Sequence, residues 1–366
     1  MTQSTAPQGR TRRGRSHSWL PALTLVMLTA LAAPYAGSAA GSPQLGLAAT
    51  NLVGGQVEAS QWTQRPPLQS PRFAHDVATV DGSILVVGGA TSFEELLETV
   101  EARQVSGDGA WHTLAPLPTA RGNPAAAELD GKVYVAGGFD LHTTLSVVEV
   151  FDPRTGAWTT TAKLPVPRGA AAAAGLGGLL YVAGGFLGGR NIRGTASVLA
   201  YDPTTDSWTS VAPMPTARGR LRLIAAGGQL YAIGGVAIDD GSSALSTVER
   251  YDPRTNTWTT LASMTQDRAL PGVVAIEHGS RLLIVVVAGF KSVDSTRIRL
   301  ASTEVYDIES GRWHLLQAQL PHPTASLVAA AESDGTVLAI GGNVLINEVP
   351  TTTAQVYALK ITDHDS

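Results

Sequence analysis

Short apolar runs alternate with turn dipeptides along most of this chain, as in AAAELDGKVYVAGG at positions 125–138. The turns between paired runs are Asp81–Gly82, Asp130–Gly131, Gly177–Gly178, Gly227–Gly228 and Asp334–Gly335. Asp-Gly and Gly-Gly supply the positive φ angles of tight hairpins, so each block predicts two antiparallel strands. A glycine pair ends the second run, where a side chain would obstruct close backbone approach. After a variable loop comes a third run, such as STVERY (246–251). A shared phrase follows: FDPRTGAW (151–158), YDPTTDSW (201–208), YDPRTNTW (251–258) and YDIESGRW (306–313). Asp-Pro starts its turn through side-chain capping and a fixed φ, and the tryptophan opens a fourth strand. The stretch RGAAAAAGL (168–176) favours helix by propensity alone. Its register against RGNPAAAEL (121–129) places it on strand one instead.

The phase of the repeat is fixed by three landmarks. Tryptophans stand at Trp62, Trp111, Trp158, Trp208, Trp258 and Trp313. Ten residues after each of the first five comes an arginine: Arg72, Arg121, Arg168, Arg218 and Arg268. Sixteen residues after the first four arginines come Gly88–Gly89, Gly137–Gly138, Gly184–Gly185 and Gly234–Gly235. The fifth unit keeps Gly289 after Ala288, and the sixth keeps Gly341–Gly342 but has Thr324 where arginine is expected. The sixth unit also lacks a tryptophan phrase, while an orphan fourth strand, QWTQRPPLQ (61–69), precedes the first. Joined, the two ends complete one unit and leave no open edge there.

These landmarks resemble the Kelch repeat family. The opening arginine, the hairpin, the Gly-Gly pair, the V-E-x-[FY]-D-P segment and the downstream tryptophan all match over residues 62 to about 359. The resemblance implies an all-β, six-bladed β-propeller over 61–361, with four antiparallel strands per blade and the ring closed by the N-terminal strand.

Composition changes the picture mainly at the N-terminus. Arg10, Arg12, Arg13 and Arg15 precede an apolar run from Trp19 to Ala33, then Pro34 and AGSAAGS, and no acidic residue occurs before Glu58. That order predicts a signal peptide over 1–40, cleaved after Ala40 by the Sec or the twin-arginine route. The run is shorter than the roughly 20 residues of a membrane helix, so an uncleaved anchor is the secondary reading. Residues 41–60 read as a linker and 362–366 as a tail. The mature chain is expected outside the cytoplasm, as a monomer without a stable membrane span. A net charge of −4 over 366 residues gives no nucleic-acid footprint. The absence of cysteine excludes disulfides, thiolate metal sites and cysteine nucleophiles.

The residues offer little catalytic chemistry. No histidine pair has metal-ligand spacing, and there is no G-x-S-x-G elbow or Walker loop, so no metal and no cofactor are expected. Galactose-oxidase-like propellers need a tyrosine crosslinked to cysteine, which this chain cannot make. Kelch-type sialic-acid epimerases share an exported six-bladed plan. They carry a long insertion, for which units of 47 to 55 residues between tryptophans leave no room. The expected function is therefore non-catalytic binding of a protein or glycan through loops on one face; a carbohydrate-active enzyme of the epimerase kind is the alternative. The repeat arginines Arg72, Arg121, Arg168 and Arg268, with the six repeat tryptophans, are expected to be structural. Each arginine would brace a neighbouring blade, against Glu149, Glu249 or Glu304. Arg220 and Arg222 are additions to one unit. Alternating with Arg218 along a strand face, they could hold a carboxylate or phosphate, against a competing reading as solvated surface charge.

Overall fold

A computed structural model describes residues 57–107, 109–188, 193–237, 243–294, 296–346 and 349–363. The expected signal peptide and most of the expected linker lie outside these residues. The described chain is all-β, without helix. It contains six antiparallel four-stranded sheets, each built as the sequence pattern predicts. In the second unit the strands are Ala125–Leu129, Lys132–Ala136, Val148–Asp152 and Ala157–Thr160, paired in that order. The alanine-rich stretch forms strand Ala172–Leu176, so tertiary pairing overrides helix propensity. The Asp130–Gly131 turn has φ of 51° and 74°, and Gly177–Gly178 has 61° and 77°.

Past their first residue the second strands are almost continuously apolar and buried, because both their faces are covered. In Ser83–Val87, Leu85 and Val87 pack with Val133, Val135 and Phe151 of the following unit. Ile84 and Val86 pack with Leu338, Ile340 and Val356 of the sixth. Strands buried on both faces read as continuous apolar runs rather than alternating ones. The innermost strands pack in chain order, and Val328–Ala331 of the sixth unit packs against Asp76–Val80 of the first. The fourth strand of the sixth sheet is Thr63–Arg65, which pairs antiparallel with Val356–Leu359. Val57–Ala59 also pairs with Ile361–Asp363, so residues read as linker form a second ribbon with the end of the expected propeller segment and the start of the expected tail.

The glycine pair and the arginine form a repeated joint between consecutive sheets. The second glycine of each pair donates its N–H to the carbonyl of the next unit's opening residue: Gly89 to Arg121, Gly138 to Arg168, Gly185 to Arg218, Gly235 to Arg268, Gly289 to Thr324. Gly342 returns to Arg72 at 2.8 Å. A Cβ on Gly137 would stand 2.3 Å from the Arg168 carbonyl oxygen, which explains why glycine is required there. The tryptophans make a second joint on the outside. Trp158, Trp208, Trp258 and Trp313 donate Nε1–H to Ala115, Ala162, Ala212 and Ala262, residues that follow the outer strand of the preceding sheet. Their rings lie about 5 Å from Phe151, Tyr201, Tyr251 and Tyr306, the aromatic residue of the same phrase. Trp111 bonds Pro66. Trp62 is buried with Leu316 and Leu359, its Nε1 without a partner.

Candidate functional site

The repeat arginines are buried, and their side chains act within their own units. Arg72 pairs with Glu101 at 2.5 Å, Arg121 with Glu149 at 2.6 Å, and Arg218 and Arg268 with Glu249 and Glu304 at 2.8 Å each. Each guanidinium also donates to backbone carbonyls, as Arg121 does to Gly137 and Val147. The expected bracing of a neighbouring blade is thus corrected. The bond between units is made by the arginine's backbone carbonyl, while its side chain ties together the strands of its own sheet. Glu101 was not singled out from the sequence, although VEARQ places it at the same strand-three position as the other three glutamates. Arg168 departs from the pattern. Leu199 occupies the glutamate's position, and Arg168 reaches only the Gly184 and Ser197 carbonyls, at 3.3 and 3.5 Å. Burial without a carboxylate pulls its pKa down to about 10.

Arg218, Arg220 and Arg222 do not share a strand face. Two residues after each unit's opening position the backbone turns left-handed, at Ala74, Asn123, Ala170, Arg220, Leu270 and Ser326, with φ between 47° and 58°. This turn separates the short strand Arg218–Gly219 from Arg222–Ala226 and breaks the alternation. The turned residues are linked in series, with Asn123 N–H donating to Ala74, Ala170 to Asn123, Arg220 to Ala170, Leu270 to Arg220, and Ser326 to Leu270. Arg218 is the buried repeat arginine of its unit. Arg220 is nearly buried, its guanidinium 5.6 Å from the centroid of the Phe186 ring. The reading as solvated surface charge fails for all three.

Arg222 points to the molecular centre. Its Nε donates to the Pro271 carbonyl at 2.8 Å, Nη2 to the Leu327 carbonyl at 2.9 Å, and Nη1 to Asp76 Oδ1 at 2.9 Å. Asp76 Oδ2 accepts the Ala126 N–H at 2.8 Å. One ion pair therefore ties together five of the six repeat units, its bonds to Pro271 and Leu327 falling just before the innermost strands of the fifth and sixth. Desolvation raises the Asp76 pKa; the Arg222 charge and the Ala126 N–H oppose the rise. Beside them His75 is buried, its Nε2 3.1 Å from the Ile340 carbonyl and its Nδ1 unpartnered. Burial, with Arg72 and Arg222 nearby, holds His75 well below its ordinary pKa. Asp76 and Arg222 line a cavity of about 360 Å³ bounded by the six innermost strands. Neither His75 nor Asp76 was picked out in advance. The signal was positional, since Asp76 and Arg222 occupy the place held by Ala125 and Ala172 in other units.

With this geometry in place, the comparisons with known proteins fit. Residues 47–235, just over half of the chain, match the family model of the KLHDC2/KLHL20/DRC7 Kelch-repeats domain. The chain belongs to the Kelch-repeat family. Residues 217–265 separately match the Kelch motif. It is similar to Kelch-like protein 33 of Homo sapiens, 35% identical over 102 residues, covering 27% of this chain and 19% of that protein. It is also similar to an F-box/kelch-repeat protein of Arabidopsis thaliana (At4g39580), 33% identical over 106 residues, covering 29% of this chain and 27% of that protein. Alpha-scruin of Limulus polyphemus is 37% identical over 82 residues, 22% of this chain and 9% of scruin. The matches thus span about a quarter or less of these relatives. A solved structure titled "Structure of YjhT" superposes with a TM-score of 0.67 at 17% identity, covering 81% of this chain and 99% of that one. That likeness concerns the fold.

On this Kelch chain, the segments joining strands two and three leave by the same face as those joining one sheet to the next. Some are built out into hairpins, such as Phe290–Val293 with Thr296–Arg299 and Asn343–Ile346 with Val349–Thr352. The exposed large apolar side chains of the described residues are Leu141, Val166, Val293, Leu315, Ile346 and Val349. All lie on these segments or, for Leu315, at the end of the strand leading into one.

Proposed function

We propose that this chain is an exported binding scaffold: a six-bladed Kelch ring, closed by Thr63–Arg65, that presents its loop face to a protein partner. The observation that carries the reading is the placement of exposed apolar side chains. Isolated exposed apolar residues are ordinary, but gathering them on the loops of one face of a rigid frame marks an interaction surface. The buried Arg–Glu pairs and the glycine joints hold that frame, so substitutions at the loop tips leave it intact. A glycan is the second ligand class to test, and sialic-acid epimerisation the enzymatic alternative.

The test couples capture to folding. Mature protein and an Ile346→Asp/Val349→Asp/Val293→Asp variant are used to capture partners from cell-envelope extract and on a glycan array, with melting temperature measured in parallel. The proposal expects a defined protein retained by the first, lost by the second, and equal melting temperatures. Equal capture by both, or a glycan as the retained ligand, contradicts the protein-binding reading. NMR of N-acetylneuraminic acid anomers with the same protein decides the enzymatic alternative. N-terminal sequencing of the extracytoplasmic form should begin near Gly41, whereas an intact Met1 in membranes would show an anchor.

A further inference from the structure

The loop face does not account for the axial cavity. Each innermost strand has one hydrogen-bonded neighbour in its sheet, so its other edge faces the cavity. Edge strands present backbone N–H and C=O groups, giving the wall alternating donors and acceptors. Asp76 and Arg222 are the first residues of their strands and sit at the loop-face end of this space. The cavity's volume is at the small end of the roughly 300–1,000 Å³ typical of small-molecule sites. A guanidinium carries more N–H donors than the three used by Asp76, Pro271 and Leu327. The Asp76 carboxylate accepts from Arg222, the Ala126 N–H and the Val77 N–H, and its two oxygens together keep acceptor capacity beyond these.

From this we infer that the cavity binds a small zwitterion of the free α-amino-acid type, its carboxylate on Arg222 and its ammonium on Asp76. The selectivity follows from charge balance. A lone anion that displaced Asp76 from Arg222 would leave Asp76 buried without its cation, and a lone cation that displaced Arg222 from Asp76 would strand Arg222. Breaking a buried pair by removing one partner is strongly unfavourable. A zwitterion that inserts between them exchanges the Arg222–Asp76 bond for one bond from each side chain to an opposite charge, so neither is stranded. The cavity is separate from the loop tips, so the inference stands or falls independently of the protein-binding reading.

Isothermal titration of the mature protein with glycine, L-alanine and L-serine tests this, with propionate, ethylammonium, glucose and N-acetylneuraminic acid as comparison solutes. The inference expects saturable binding of at least one amino acid, with the singly charged analogues weaker by about tenfold or more. Arg222→Gln and Asp76→Asn should each weaken amino-acid binding by a similar factor. The loop variant Ile346→Asp/Val349→Asp should bind amino acids like the wild type. If the axial variants fail to fold, the ranking of solutes on the wild-type protein decides alone. No binding of any amino acid, equal or tighter binding of a singly charged or sugar solute, or folded axial variants with unchanged affinity would overturn it.

Discussion

Arg121 and Arg168 occupy the same place in successive units, yet removing them should have different consequences. Arg121 is fully buried and pairs at 2.6 Å with Glu149, which is itself buried and otherwise accepts only the Thr119 hydroxyl at 2.6 Å. Arg121→Met leaves that carboxylate without its counter-charge, a loss of about 3–5 kcal/mol. At roughly 2 cal/mol/K of unfolding entropy per residue, such a loss lowers the melting temperature of about 300 folded residues by about 5–8 °C. Arg168 has no carboxylate and only two long bonds to carbonyls. Arg168→Met leaves those carbonyls unpaired but also relieves the burial of an uncompensated cation, so the net cost should be no more than about 1–2 kcal/mol. Urea unfolding of both variants, with Arg121→Met/Glu149→Leu as a third, reads the difference directly. The double variant should recover most of the loss, because the stranded charge is gone. Equal costs at Arg121 and Arg168, or no recovery in the double variant, would show that the ion pair does not explain the repeat arginine.

Two further expectations concern His75 and the glycine joints. His75 titrates below its ordinary value of 6.5 in the native state, so the unfolded chain takes up the proton first as pH falls. Stability from this group is full above 6.5 and declines below it, by about 1.4 kcal/mol per pH unit until the native value is reached. Asp76 shifts the opposite way and contributes with the opposite sign, so the readout is wild type minus His75→Asn between pH 6.5 and 5.5. A difference that does not change with pH would refute it. Gly137→Ala should destabilise strongly, since its Cβ meets the Arg168 carbonyl oxygen at 2.3 Å and its φ is +59°. Gly177→Ala, with open space around it and φ +61°, bears only the backbone strain and should cost about 1–2 kcal/mol. Similar melting temperatures for the two variants would remove the close-approach explanation.

The repeat phase was legible because its landmarks serve the backbone. Gly137 and Gly184 must be glycine for the next unit to approach, and Asp130–Gly131 must turn with positive φ, so the sequence shows both. The four strands per unit and the pairing of QWTQRPPLQ with the last unit could be read from the same phase. The axial site could not be read that way. Asp76 and Arg222 are 146 positions apart, and only the packing of one sheet against the next brings them together. The left-handed turn at Arg220 was also hidden, because Ala74, Ala170 and Leu270 adopt it without a glycine to announce it. Strand alternation does not carry across Arg220, because the chain turns there. The direction of the repeat arginine side chains is hidden for a related reason. Spacing places Arg121 at a junction between sheets but does not say whether its side chain or its carbonyl makes the crossing.

Closure of the ring by the N-terminal strand is the claim on which the frame, the loop face and the axial cavity all depend, and a single disulfide tests it. The chain has no cysteine, so a designed pair is the only thiol pair present. Gln64 and Tyr357 are register partners in the strands Thr63–Arg65 and Val356–Leu359. Directly opposed antiparallel residues stand about 4.5–5.5 Å apart at Cα, within the span of a disulfide. Oxidised Gln64→Cys/Tyr357→Cys protein should form one intramolecular disulfide in nearly every molecule, migrate faster on a non-reducing gel and melt higher than its reduced form. A Gln64→Cys/Thr259→Cys control, placed on another sheet, should not crosslink. Failure of the first pair to crosslink in folded protein, or crosslinking of the control to the same extent, would contradict closure by this strand.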